Sequence, residues 1–171
     1  MSNLTPIPTT YRGIKFRSKL EARWAVFLDH CKIVSAWKYE PTIINGPGFS
    51  YTPDFLIAIQ SFSWFLEVKP IQAYDGYVDK LSKISNSLGE VVWLGEGSFY
   101  QTDNSKDLPC IREIRPGHKS HYADRVPITD FPWFAASTAS TKAAADLATR
   151  FRFDLAVHSY LPPHKNGKIG R

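Results

Sequence analysis

The sequence predicts an α/β fold with one mixed central sheet flanked by helices. Three observations carry that expectation. Two amphipathic helical stripes lie near residues 18–31 and 74–88, strand-like runs fall between and after them, and one of those runs, SWFLEVK (63–69), is mostly apolar. The order helix, three strands, helix, strand fits a single sheet, and its strand–helix–strand step favours a right-handed parallel crossover. With 171 residues, 43% hydrophobic and 22% charged, the chain has the composition of one globular domain, which excludes disorder, collagen and coiled coil as its overall class.

Residues 1–11 read as an extended lead-in with Pro6 and Pro8. The first helix begins at Ser18, a good N-cap, with Glu21 at the capping-box position. Its apolar residues Leu20, Trp24, Phe27, Leu28 and Cys31 form one stripe, and Glu21 falls on the edge of that stripe. Three strands are expected next, over 34–40, 49–59 and 63–69, with Pro41 ending the first and Pro70 the third; Pro53 is tolerable only near a strand start, edge or bulge. The second helix, 74–88, places Tyr77, Val78, Leu81, Ile84, Ser85 and Leu88 on one side and Gly89 at its C-cap. VVWL (91–94) gives a short buried strand. Beyond it, Pro109, Pro116, Pro127 and Pro132 leave an irregular C-terminal extension with a strand at 110–115 and one helix near 140–151. The expected organisation is a core over 1–94 and an extension over 95–171 packed on it, with a flexible basic tail from about 162.

No apolar run approaches the ~18 residues that span a bilayer, so no membrane is expected, and MSNLTPIPTT lacks the apolar core of a signal peptide. Cys31 and Cys110 form no CxxC pair, which makes a reducing, cytoplasmic setting the expectation. The net charge of +5 is modest, but Arg12, Lys15, Arg17, Lys19 and Arg23 cluster within one short segment opposed only by Glu21. That patch suits nucleic-acid phosphates or forms an ordinary solvated basic face.

Side chains two apart on a strand share a face, so Glu67 and Lys69 project together while Val68 turns to the opposite layer. Asp54 follows Pro53 at the start of the neighbouring strand. If these strands pair, Asp54 and Glu67 converge at one end of the sheet with Lys69 beside them. Paired carboxylates repel unless a cation separates them or one is protonated, and hard oxygen donors suit Mg²⁺ or Mn²⁺. The Lys69 ammonium is then placed to orient a metal-bound water and help its deprotonation, or to stabilise charge on an attacked phosphate.

The segments FRSKLEARWAVFLD (16–29), WKYEP (37–41), YTPDF (51–55) and FLEVKP (65–70) together resemble the PD-(D/E)XK nuclease superfamily. Within it they are most similar to small phage- and transposon-associated members such as the TnsA-type transposase endonucleases. The resemblance covers about residues 11–94 and implies a restriction-endonuclease-like αβββαβ core and Mg²⁺- or Mn²⁺-dependent hydrolysis of DNA phosphodiesters in a bacterial host or phage setting. It implies Glu21, Asp54, Glu67 and Lys69 as catalytic residues. Asp54, Glu67 and the main-chain carbonyl of Val68 would hold the metal, and Glu21 would bind it through water or take a second ion. DNA is the implied partner, with a homodimer or a larger phage or transposition assembly as further partners. The fourth motif of the family has no clear counterpart, and Gln72, Tyr74 and Lys80 are its candidates.

Each residue has an ordinary structural alternative. Glu21 serves equally as the capping partner of Ser18, Asp54 as a turn residue, and Glu67 with Lys69 as a structural ion pair. Glu40 is an extra site acid or a strand-end carboxylate. His118 and His121 have a metal-like spacing but no accompanying acid or cysteine cluster. Trp24, Trp37, Trp64 and Trp93 read as core, whereas Phe131, Trp133 and Phe134 either cover the core or stack on bases. At the level of function, the alternative to a nuclease is a non-catalytic nucleic-acid-binding or phage assembly or regulatory protein on the same fold.

Overall fold

A computed structural model of the chain describes residues 6–70, 75–97, 99, 109–118, 125–135 and 137–153. The chain starts with a hairpin, β1 (Thr9–Tyr11) and β2 (Ile14–Phe16), where an extended lead-in was expected. Its two-residue turn, Arg12-Gly13, has both residues at positive φ (49° and 78°), the twist a tight hairpin requires. Helix α1 (Lys19–His30) follows, capped by Ser18, whose Oγ accepts from the Glu21 amide at 3.1 Å.

Among the described residues the main sheet has six strands: β3 (Val34–Tyr39), β6 (Phe55–Ile59), β7 (Phe62–Lys69), β8 (Val92–Glu96), β9 (Cys110–Ile114) and β10 (Val126–Pro127), in the spatial order β10-β9-β8-β7-β6-β3. Only the β7–β8 pair is parallel, so the sheet is mixed. The expected single strand over 49–59 is two strands. A second hairpin, β4 (Ile44–Gly46) with β5 (Phe49–Tyr51), ends before Thr52-Pro53-Asp54, and β6 starts after it. Pro53 has no amide hydrogen to continue a ladder, so the chain leaves one sheet there and enters another.

Alternation along the strands divides the interior in two. Phe55, Ile57, Leu66, Val68, Trp93 and Ile111 pack with α1 and with α4 (Thr138–Arg150) on one face. Leu56, Phe65, Val92, Leu94 and Ile114 pack with α2 (Asp75–Leu88) on the other. Gly89, at φ 67°, ends α2 as expected. Trp24, Trp37 and Trp93 are fully buried and Trp64 stacks on Trp93 at 4.6 Å. The short helix α3 (Pro132–Ala135), with Phe131 just before it, covers the core: Phe131 and Phe134 are buried and Trp133 packs on Trp64.

The expected boundary between residues 94 and 95 falls inside β8. Strands β9 and β10 extend the same sheet, and α4 lies against α1, with Arg23 donating to the carbonyls of Ala148 and Thr149 (2.6 Å to Thr149) at the α4 C-terminus. Core and extension therefore share one interior. The basic tail from about 162, Gln72, Tyr74 and His121 lie outside the described residues. Among the described residues no helix is long and apolar enough to cross a membrane.

Candidate active site

The C-terminal end of β7 brings the expected acids together. Strands β6 and β7 pair with Phe55 opposite Leu66, which places Asp54 beside Glu67 and Val68. The Val68 amide donates to Asp54 Oδ2 at 2.8 Å, fixing the carboxylate just ahead of β6. The β3 end holds the same residue from behind: Glu40, in the left-handed region at φ 42°, donates its amide to the Asp54 carbonyl at 2.9 Å. Glu67 and Lys69 share the α2 side of the strand, and Val68 packs on the α1 side, as the alternation predicts.

Lys69 Nζ joins the two acids, 2.7 Å from Glu67 Oε1 and 3.9 Å from Asp54 Oδ2. Both carboxylates are buried, at 1% and 3% exposure. Burial, and then the neighbouring Glu67 charge, pushes the Asp54 carboxyl up to about 7, against the downward pull of Lys69 and the Val68 amide. Two tyrosines anchor Glu67: Tyr51 donates to Oε2 at 3.0 Å and Tyr77 to Oε1. Burial and the Glu67 charge drive both phenols well above their ordinary range, so they stay protonated donors. Lys69 lies over the Tyr77 ring, 4.7 Å from its centroid.

Glu21 is the capping partner of Ser18 and also stands at the cleft. It receives the Ser18 hydroxyl (2.8 Å), the Arg17 amide (3.1 Å) and the Tyr39 hydroxyl (2.5 Å), and its side chain also lines the cleft. That cleft, about 410 Å³, is walled by Arg17, Glu21, Tyr51, Glu67, Lys69 and Tyr77. Asp54 sits behind it, with Arg17 Nη2 at 2.5 Å from Oδ1.

The basic segment does not present itself to solvent as a unit. Arg17 turns into the cluster, reaching Asp54, Glu40 (3.1 Å) and Glu21 (3.9 Å). Arg12 pairs with buried Asp29 at 2.9 Å, and Arg23 caps α4. Lys15, Lys19 and much of the Arg17 side chain remain exposed. Glu40 belongs to the cluster through Arg17, and Tyr39, Tyr51 and Tyr77 are site residues that sequence reasoning missed. Tyr39 and Tyr51 flank motif residues, a proximity that offered a signal. Tyr77 lies on an apolar helical stripe and offered none. Lys80, weighed for the fourth motif, also lines the cleft.

Among the described residues no group of three or more His, Cys, Asp or Glu side chains is set closely enough to hold a metal by itself. The charge balance nevertheless fits a divalent cation: among the described residues, four carboxylates (Glu21, Glu40, Asp54 and Glu67) are bridged by two side-chain cations, Arg17 and Lys69. Hard carboxylate oxygens with excess negative charge, at the wall of an open cleft, are the donor chemistry of Mg²⁺ and Mn²⁺. Fold and site together define a mixed α/β protein with a buried carboxylate–amine cluster at the end of a central strand. Comparison of the chain with protein-family models, curated proteins and solved structures finds no match.

Proposed function

We propose that the protein is a metal-dependent endonuclease of the PD-(D/E)XK type, with a restriction-endonuclease-like core, that hydrolyses DNA phosphodiester bonds. The observation that carries this reading is the meeting of Asp54 and Glu67, from two adjoining strands, around one lysine amine beside a cleft. Asp54 and Glu67, with the Val68 carbonyl, would hold Mg²⁺ or Mn²⁺, and Glu21 would complete the set. When bound, such an ion polarises a phosphoryl oxygen and lowers the pKa of water. Tyr51 and Tyr77 fix the rotamer of Glu67. Lys69, partly exposed and held over Tyr77, places its Nζ where phosphate would enter the cleft. The cell setting follows the resemblance: a bacterial cytoplasm, phage or transposon origin, and a homodimer or larger assembly when both strands are cut.

One observation favours the non-catalytic alternative. Both oxygens of Glu21, Asp54 and Glu67 already have protein partners, as in a structural ion-pair network. Plasmid and branched DNA incubated with Mg²⁺ or Mn²⁺ separate the two. The nuclease nicks these substrates, EDTA abolishes nicking, and Glu67→Gln or Lys69→Ala lowers the rate at least about 100-fold while DNA binding in EDTA persists. Full cutting by either variant removes the assigned mechanism, and binding without any cutting supports the alternative.

A further inference from the structure

We infer that the groove between the β4–β5 hairpin and α2 binds an unpaired DNA strand and leads it into the carboxylate cleft; this rests on the nuclease reading above and names the substrate class it takes. The groove, about 790 Å³, is lined by Pro47 and Phe49 on the hairpin and by Lys80, Lys83 and Ser87 on the helix. Lys80 also lines the carboxylate cleft, so the two depressions meet at one side chain.

Three features point to a nucleic-acid strand. First, Lys80 and Lys83 stand one helical turn apart on the exposed side of α2, and neither is in an ion pair among the described residues. Second, Phe49 lies half-buried on the hairpin side of the groove, its ring laid over Gly46 so closely that a Cβ there would stand 2.3 Å from it and packed against the α2-side core; the part left accessible gives the groove wall an aromatic edge. Third, the Lys80 ammonium leans on Tyr77 (5.5 Å) and Tyr51 (6.0 Å), the tyrosines that hold Glu67, and so is kept at the junction. A cationic rim with an aromatic wall is the composition that tracks a single strand, with phosphates on the lysines and a base on the ring. Asp79 is the acid on this wall, against two lysines. Arg12 and Arg23 are turned inward, and this groove offers a phosphate path contiguous with the acids and with the Arg17 side of the cleft.

The test is fluorescence anisotropy in EDTA, with labelled oligonucleotides of about 12 nucleotides, single-stranded and duplex, over a salt series. The wild-type chain binds the single strand more tightly than the duplex. Lys80→Ala/Lys83→Ala weakens single-strand binding at least about tenfold and lowers the salt slope by roughly 1.4, as two lost phosphate contacts should. Phe49→Leu weakens it about 5- to 100-fold with the salt slope unchanged. Lys142→Ala, an exposed lysine on α4, leaves binding as it was. Wild-type affinity in the double lysine variant, or no preference for the unpaired strand, overturns the inference. Because these measurements are metal-free, a chain that cuts in Mn²⁺ but binds normally without Lys80 and Lys83 sinks the groove alone. A chain that binds through them yet never cuts sinks the nuclease reading alone.

Discussion

Asp54→Asn should stabilise the metal-free protein at alkaline pH. The carboxyl is almost fully enclosed and is held at about 7 by burial and by Glu67, whereas in the unfolded chain it ionises near pH 4. A raised acid releases its proton more readily unfolded than folded. Its penalty is therefore absent below about pH 4, grows between about pH 4 and pH 7, and is constant above. At roughly 1.4 kcal/mol per pH decade the ceiling is about 4 kcal/mol. Asparagine keeps an acceptor for the Val68 amide but loses the ion pair with Arg17, whose side chain is 57% exposed and largely screened by water. The net expectation is a gain of about 1–3 kcal/mol near pH 8, shrinking toward zero near pH 4. Urea denaturation in EDTA at several pH values measures it, and added Mn²⁺ should stabilise the wild type more than the variant. A variant that is less stable than wild type near pH 8 would show that Lys69 and Arg17 fully compensate Asp54, refuting the argument that this site lacks positive charge.

Replacing Arg17 with Gln should cost less than about 1 kcal/mol in the metal-free form, because the guanidinium itself is more than half exposed and Lys69 still faces Asp54, while tightening Mn²⁺ binding measured by calorimetry; weaker binding would mean that Arg17 orders the acids. Arg12→Ala removes a cation 2.9 Å from buried Asp29, which keeps its hydrogen bonds from Tyr11 (3.0 Å) and Trp37 (2.8 Å); a loss of about 2–4 kcal/mol in urea denaturation is expected, and a smaller loss is expected when Asp29 is Asn as well. Gly95→Ala sets a methyl 2.7 Å from the Trp24 ring inside the interior, costing about 1–3 kcal/mol, with partial rescue by Trp24→Phe in a double-mutant cycle.

Much of the framework was legible from local chemistry. The stripe from Leu20 to Cys31 and the Ser18–Glu21 pair mark α1, and SWFLEVK reads as a buried strand because its apolar residues continue on both faces. The convergence of Asp54, Glu67 and Lys69 followed from strand alternation plus one assumption, that β6 and β7 pair, which they do. The two hairpins were not legible: strands of three residues carry too little periodicity to register, and Arg12-Gly13 is a weaker turn signal than Asn-Gly or Asp-Gly. The direction of the basic segment was hidden for a different reason. Charge on a sequence says nothing of where its partner lies, and Asp29, Asp54 and the α4 carbonyls that draw in Arg12, Arg17 and Arg23 are all supplied by the fold. Tyr77 was hidden because a tyrosine on an apolar stripe packs by its ring while its hydroxyl acts elsewhere.

The continuity of the sheet through residue 94 limits how the chain can be cut. Cleaving it there would strip β9 from β8 and expose a row of unpaired backbone groups beside Val92 and Trp93, the kind of edge along which polypeptides zip into aggregates. It would also uncover the flank of α1 that α4 now shields. A shortened version ending at 94 should come out of cells as insoluble material, and any search for the smallest working fragment has to keep Phe151 and Phe153, whose rings pack on Tyr11.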